Sequence, residues 1–175
     1  MPAFEVLIDR ARILRRIGEL ARAIRARHAD PSELCVVAVM DGARVFCRQL
    51  VPMLDPALPV HEIRAKSYVG TQSSGNVTIS GGETLRVADR EVLIVEDIVD
   101  TGRTVARLRE QFLAQGARGV QVVTLLSKPS RREVAVDLAF VGFEIEDRFV
   151  IGFGMDYEGR YRELPEVVVY DPARV

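Results

Sequence analysis

A chain of 175 residues, 48% of them apolar, is long enough to bury one hydrophobic core, and we expect a single domain spanning residues 1–175. Its 24 basic and 25 acidic residues give a formal net charge of -1, so no overall positive field favours nucleic acid or an anionic membrane as a partner. The chain opens without a charged and apolar leader, and no apolar run approaches the roughly 20 residues that span a bilayer, so we expect a cytoplasmic protein.

The predicted elements begin with an amphipathic helix. Apolar residues recur at helical spacing between residues 13 and 24, and Asp9 is placed to cap the first turn. Residues 34–40 form a continuous apolar run, which is typical of a strand buried on both faces, and residues 43–50 predict a following helix. Cys35 and Cys47 lie in these stretches without metal-ligand spacing, so we expect both thiols to be buried.

Two further buried strands flank a third helix. Residues 92–95 and 120–126 repeat the apolar pattern, and the helical stretch between them runs from about residue 104 to 115 before Gly116 ends it. A strand, a helix and a strand at this spacing form a right-handed parallel crossover. The sequence therefore predicts an α/β protein with an open, mainly parallel twisted sheet, whose ligands bind beyond the carboxyl ends of the strands.

The remaining segments are less regular. Residues 68–82 are rich in Gly, Ser, Thr, Gln and Asn, which predicts a mobile loop or hairpin, and a loop of this length in a compact domain favours a catalytic lid. After residue 137, short apolar stretches at 138–143, 149–153 and 167–170 alternate with acidic and glycine breaks. We expect these stretches to form edge strands and a small cap over the sheet.

The clearest indication of function lies between residues 92 and 104. An apolar strand runs into Glu96 and Asp97, and a turn with the sequence Thr101-Gly102-Arg103-Thr104 then opens a helix. This turn offers backbone N–H groups, hydroxyls and a guanidinium to a phosphate. Carboxylates repel phosphate. Ribose hydroxyls or a hydrated Mg²⁺ must therefore lie between the two acids and a bound phosphate. In the alternative interpretation, the two acids simply end the strand and Thr101 caps the helix. That interpretation needs a separate explanation for each of these residues.

Residues 96–104 resemble the phosphoribosyl pyrophosphate (PRPP) motif of the type I phosphoribosyltransferases. Five further stretches are similar to the hypoxanthine-guanine branch in the same order: Lys66-Ser67-Tyr68, Gly81-Gly82, Leu126-Ser127-Lys128, 137–144 and 147–162. The resemblance covers about the last two thirds of the chain. It implies the type I phosphoribosyltransferase fold with a small hood and a flexible catalytic loop, Mg²⁺-dependent joining of hypoxanthine or guanine to PRPP, release of pyrophosphate, and a homodimer or homotetramer.

The resemblance also implies roles for the residues of the motif. The 5′-phosphate would be cradled by Asp100, Thr101, Gly102, Arg103 and Thr104. Glu96 and Asp97 would meet the ribose hydroxyls and the metal. Asp100 would in addition manage the proton at purine N7, which a carboxylate at hydrogen-bond reach can do.

Further roles concern the base, the leaving group and the loop. Lys128 would contact the purine O6, Phe149 would stack on the base, and the main chain of Val150 would meet the base edge. Asp156 would belong to the purine site and bind a second Mg²⁺ on the pyrophosphate. Arg162 and the loop of Asp41 and Gly42 would contact the pyrophosphate, and Ser67 and Tyr68 would lie in the closing loop. Without the resemblance, Phe149 would read as a core residue, Lys128 as a loop lysine, and Asp156 and Arg162 as a solvated pair.

One position departs from the resemblance. The first pyrophosphate loop of the family usually carries a basic residue before glycine, whereas this sequence has Asp41 before Gly42. We expect its carboxylate to point away from the leaving group. Two other functions stay open at this point: a PRPP-sensing regulatory protein with weak or lost catalysis, and a phosphoribosyltransferase for another base, such as xanthine or a pyrimidine.

Overall fold

The computed structural model describes residues 4–67 and 77–171. Its helices are α1 (Arg10–Arg27), α2 (Arg44–Leu54) and α3 (Arg103–Ala114). Its strands are β1 (Glu5–Ile8), β2 (Cys35–Met40), β3 (Val60–Ser67), β4 (Val77–Ser80), β5 (Glu91–Val99), β6 (Gly119–Ser127), β7 (Phe140–Glu144), β8 (Val150–Ile151) and β9 (Val167–Val169). None of the helices in these two ranges combines the length and the apolar character of a membrane span.

The strands form two sheets. The larger has six strands in the order β4-β3-β2-β5-β6-β7, in which every pair is parallel except β3 with β4. The smaller is an antiparallel sheet in the order β1-β9-β8, which is the predicted hood. The prediction of an open, mainly parallel α/β sheet with a small hood is therefore confirmed.

The core lies on both faces of the large sheet, because its central strands are apolar on both sides. One face packs against α1, α2 and the hood, and the other packs against α3. Helix α1 begins where Asp9 accepts a hydrogen bond from the backbone N–H of Arg12 at 2.9 Å. Helix α3 ends before Gly116, whose φ of +87° is a left-handed conformation that glycine adopts without strain. Cys35 and Cys47 are both buried and free, as predicted.

Strand β5 and helix α2 run past their predicted ends, and strands β1 and β3 were not predicted. Strand β5 continues beyond Val95 through both acids, because Ile98 and Val99 still pair with β6. Helix α2 continues to Leu54 and includes Pro52 in its last turn, where proline lacks the backbone N–H that would donate to the Arg48 carbonyl. Strand β1 was not predicted, since its four residues contain only one fully buried side chain and its partner β9 lies at the other end of the chain.

Candidate active site

A cavity of 350 Å³ opens at the carboxyl ends of β2, β5 and β6, where parallel sheets place their ligands. Eleven of the residues singled out in the sequence line it: Asp41, Gly42, Glu96, Asp97, Asp100, Thr104, Lys128, Phe149, Val150, Asp156 and Arg162. The hood contributes Phe149 and Val150 to this lining together with Met155, which the sequence did not indicate. Residues that are far apart in the chain thus meet around one space.

Glu96 and Asp97 form an acidic pair on β5, in which Glu96 is buried and Asp97 is half-buried. Glu96 is 7% exposed, and its Oε2 atom is buried without a hydrogen-bond partner among the residues described. Burial, the neighbouring Asp97 charge and a hydrogen bond to Asp97 together raise the pKa of Glu96 well above its usual range. Burial also raises the pKa of Asp97, and hydrogen bonds from Glu96 and from its own backbone partly offset this. A carboxyl pair with one buried oxygen left unsatisfied is a site that a cation or a hydroxyl group can complete.

The turn after β5 is braced from outside the predicted motif. Gly102 has a φ of +84°, and a methyl group added there would come within 2.8 Å of the Val134 carbonyl oxygen. The Thr101 carbonyl accepts hydrogen bonds from the backbone of Glu133 and Val134, both at 3.0 Å. The Arg132 guanidinium donates to the Asp100 carbonyl at 2.7 Å. A segment that the sequence did not indicate therefore fixes the shape of the turn.

Arg103 was expected to offer its guanidinium to a phosphate. The structure pairs that guanidinium with Glu133 instead, with Nε donating to Oε2 at 2.8 Å. Arg103, Thr101 and Gly102 are not among the residues that line the cavity, whereas Asp100 and Thr104 are. The Arg103 guanidinium thus pairs with an acidic side chain 30 positions later, and its expected contact with a phosphate stays a prediction. The N-terminus of α3, with its backbone N–H groups, is the part of this turn that suits an anion.

Lys128 follows β6 and is 6% exposed. Its Nζ atom lies 3.6 Å from Oδ1 of Asp100 and 3.7 Å from Oδ1 of Asp147, so the buried charge faces two carboxylates. Its backbone N–H donates to the Val99 carbonyl at 3.0 Å, which fixes the residue to the end of β5. Sequence reasoning found Lys128 and Asp100 but missed Asp147, because nothing in the local pattern relates residue 147 to residue 128.

Phe149 lines the cavity with its side chain 51% exposed, so the core role that its apolar strand suggested does not hold. Its ring meets Tyr157 and Tyr170 edge-on, with ring centroids 5.8 Å apart in both pairs. The two tyrosines are themselves stacked with a centroid separation of 4.5 Å. These contacts leave a supported aromatic face at the cavity, where a planar ligand can stack.

Asp156 and Arg162 are paired within the hood. Oδ1 of Asp156 lies 2.7 Å from Nη2 of Arg162, and Oδ2 accepts a hydrogen bond from the backbone of Gly159 at 2.6 Å. Across residues 4–67 and 77–171, no three His, Cys, Asp or Glu side chains converge closely enough to hold a metal ion. The predicted ligands Glu96, Asp97 and Asp156 therefore line one cavity without forming a ready cluster.

Asp41 lies at the end of β2, where the Met40–Asp41 peptide bond is cis. Its Oδ1 atom accepts a hydrogen bond from Nη2 of Arg44 at 3.1 Å and lies 3.6 Å from Nη2 of Arg64. The negative charge of Asp41 in the predicted pyrophosphate loop is therefore neutralised by two arginines that do not line the cavity.

The predicted catalytic loop is covered only in part. The backbone of Ser67 ends β3 and pairs with Val77 at the start of β4, as in a hairpin. Tyr68 lies outside the described residues, so its expected place in the closing loop stays a prediction.

Comparisons with known proteins agree on one group. Residues 7–158 match the model of the phosphoribosyl transferase domain. The chain is 37% identical over 176 residues to the hypoxanthine-guanine phosphoribosyltransferase of Bacillus subtilis, covering 97% of this chain and 94% of that protein. It is 41% identical over 165 residues to the hypoxanthine phosphoribosyltransferase of Salmonella typhimurium, covering 93% of each.

The fold agrees with the same group. A crystal structure of a hypoxanthine phosphoribosyltransferase from Staphylococcus aureus superimposes with a TM-score of 0.88 at 32% identity. The match covers 97% of this chain and 92% of the other. The similarity therefore includes the hood and the large sheet together.

Proposed function

The chain belongs to the phosphoribosyl transferase family, in its hypoxanthine-guanine branch, and we propose that it joins hypoxanthine or guanine to the ribose of PRPP, giving IMP or GMP and pyrophosphate. It is thus an enzyme of purine salvage. The observation that carries the proposal is one cavity that combines an acid pair, the N-terminal turn of a helix, a buried lysine and an exposed aromatic ring. A phosphorylated sugar and a planar oxo base need these groups side by side.

The sugar phosphate is proposed to lie across β5 and the turn that follows it. Thr104 and the N-terminus of α3 suit the 5′-phosphate, because backbone N–H groups and the helix dipole attract an anion. Glu96 and Asp97 precede this turn on the same strand, where ribose hydroxyls can donate to them. The brace from Arg132 to the Asp100 carbonyl holds the turn in place before a ligand arrives.

Mg²⁺ fits this site as part of the substrate complex. The unsatisfied Oε2 of Glu96 beside Asp97 offers hard oxygen ligands, and Mg²⁺ in phosphate sites keeps waters and substrate oxygens around one or two carboxylates. The absence of a ready three-ligand cluster among the described residues agrees with such partial coordination. When bound, the metal would offset negative charge on the pyrophosphate. Asp156 is proposed as a ligand on the leaving-group side.

The base is proposed to stack on Phe149, with Lys128 at its O6 atom. An ammonium group can only donate, so it favours a 6-oxo group over a 6-amino group. Val150 follows Phe149 in the chain and lines the same cavity, and its main chain is proposed to meet the base edge. Oδ1 of Asp100 lies 3.6 Å from the Lys128 ammonium, and this carboxylate is proposed as the proton acceptor for the same base.

These groups suggest a direct transfer without a covalent intermediate. As pyrophosphate leaves C1′, the sugar gains positive character and a purine nitrogen attacks the opposite face, while Asp100 takes the proton from N7. Arg162 suits the departing pyrophosphate, and the loop containing Ser67 and Tyr68 is proposed to exclude water. No cavity residue is needed as a nucleophile.

A panel of free bases tests this function. The protein is incubated with PRPP, Mg²⁺ and hypoxanthine, guanine, xanthine or adenine, and nucleotide formation is followed by chromatography. We expect turnover with hypoxanthine or guanine, little with adenine, and loss of base discrimination in Lys128→Ala. Turnover with xanthine alone would assign the other-base alternative, and binding of PRPP without any product would assign the regulatory one.

Domain count, location and assembly are further proposals. We propose a single domain over residues 1–175, which the match of residues 7–158 to one domain model supports. We also propose a cytoplasmic homodimer or homotetramer, which the resemblance to the family implies. Light scattering after gel filtration measures the assembly directly.

A further inference from the structure

Asp147 is a carboxylate at the edge of the base site to which no role has yet been given. It lies two positions before Phe149, on the segment that joins β7 to the hood, and its Oδ1 atom is 3.7 Å from the buried Nζ of Lys128. Its Oδ2 atom is 3.7 Å from Nη1 of Arg131. One carboxylate therefore contacts two cations at the carboxyl end of β6.

The spacing of these groups suits an ammonium that must still bind a ligand. Both carboxylates facing Lys128 lie at ion-pair distance, beyond the 2.7–3.2 Å typical of N–H···O hydrogen bonds. Their charge compensates the burial of the ammonium, and the N–H groups keep capacity for a closer acceptor in the cavity. Without Asp147, the ammonium would keep only Asp100 as a carboxylate partner, and its position would depend on that one ion pair.

The backbone adds to this arrangement. The N–H of Ile145 donates to the Ser127 carbonyl at 2.9 Å, which joins the segment before Asp147 to the residue before Lys128. The ion pair then ties the same segment to the lysine side chain, two residues ahead of the aromatic ring. The donor for the base oxygen and the stacking ring are thus held relative to each other by one contact region.

We propose that Asp147 is a positioning residue for purine recognition, which holds the Lys128 ammonium at the oxo edge of the base. The proposal rests on the proposed function, since it needs a 6-oxopurine in this cavity. Asp147 itself need not touch the substrate. Its contribution belongs to base binding and base choice, and PRPP binding should not depend on it.

The test compares Asp147→Asn with Glu146→Gln, which removes the same charge one position away on an exposed side chain. Asp147→Asn should raise the KM for hypoxanthine and the Kd for IMP about three- to tenfold, as expected for a partly buried ion pair, and leave the KM for PRPP within about twofold. Glu146→Gln should match the unmodified enzyme in all three quantities. Thermal melting of each variant reports whether the fold is retained.

Repeating the substitution in a Lys128→Met variant separates an effect on the position of Lys128 from a general effect on the fold. In Lys128→Met, where no ammonium remains to be held, adding Asp147→Asn should have no further effect on IMP binding measured by calorimetry. An effect of Asp147→Asn that persists in this background, or that falls equally on PRPP and base, overturns the inference. Failure of the unmodified protein to form any nucleotide would instead overturn the proposed function.

Discussion

The carboxylate of Asp97 occupies the space that a side chain at Gly42 would need. A methyl group built on Gly42 would overlap Oδ2 of Asp97, and the backbone of Gly42 also lies against Gly154 in the hood. The loop after β2, the acid pair on β5 and the hood therefore meet at a residue without a side chain. The proposed pyrophosphate and ribose positions are linked through this contact.

Gly42→Ala should lower kcat/KM for PRPP by about tenfold or more, because the added methyl group overlaps the Asp97 carboxylate and either the loop or Asp97 must move. Steady-state kinetics at saturating hypoxanthine measure this. Gly18→Ala is the matched control, since an added methyl group there meets only the end of Arg22 at 3.8 Å and lies within α1. Unchanged PRPP kinetics in Gly42→Ala would show that the loop does not take part in binding.

Asp100→Asn should reduce kcat by about 10²- to 10⁴-fold and change PRPP affinity by only a few fold. The amide keeps the shape of the turn, whose carbonyl accepts from Arg132, but cannot take a proton from N7. Lys128 keeps Asp147 as its partner, so the ammonium is not left unpaired. Rapid-mix kinetics and PRPP calorimetry on the variant separate these quantities. A loss of PRPP binding without any loss of turnover would assign Asp100 a purely structural role.

Asp41 should have little influence on the leaving group. Because Arg44 and Arg64 neutralise its carboxylate, Asp41→Asn should alter pyrophosphate affinity by less than about threefold, whereas removing a true repulsion would be worth on the order of 1 kcal/mol. Pyrophosphate inhibition constants measured at low and high salt check this, with Asp41→Lys alongside. A marked gain in pyrophosphate affinity for both variants, reduced by added salt, would show that Asp41 repels the leaving group.

The ligand-free protein should lose stability as pH rises because of Glu96. Burial holds the folded pKa of this carboxyl above its ordinary value of 4.5, so the folded state keeps a proton that the unfolded chain releases. The resulting stability is complete below pH 4.5 and declines as pH rises toward the folded pKa.

Glu96→Gln cannot ionise and should escape this decline. Its melting temperature should exceed that of the unmodified protein at neutral pH by about 2–4 °C for each 1 kcal/mol relieved, and the difference should shrink toward pH 5. Melting curves from pH 5 to 8 without ligand measure it, with the exposed Glu146→Gln as control. A constant difference across that range would mean that Glu96 does not carry the burial cost.

The sequence predicted the features that local patterns encode. Strands β2, β5 and β6 are buried on both faces and so read as continuous apolar runs, and the acids and turn of residues 96–104 follow one of them. What it missed depends on contacts between distant segments. Strand β1 forms by pairing with β9, the Arg103 guanidinium pairs with Glu133, and the Asp147 carboxylate contacts Lys128. No periodicity or spacing relates the two members of such pairs.

The central claim is that this cavity performs Mg²⁺-dependent transfer of the phosphoribosyl group to a 6-oxopurine. Phosphorus NMR of a mixture of protein, PRPP, Mg²⁺ and hypoxanthine follows substrate, nucleotide and pyrophosphate together. We predict that IMP and pyrophosphate appear in equal amounts, and that excess chelator stops both, because Glu96 and Asp97 then face the polyphosphate without a cation between them. Full turnover in excess chelator, or consumption of PRPP without IMP, would contradict the account.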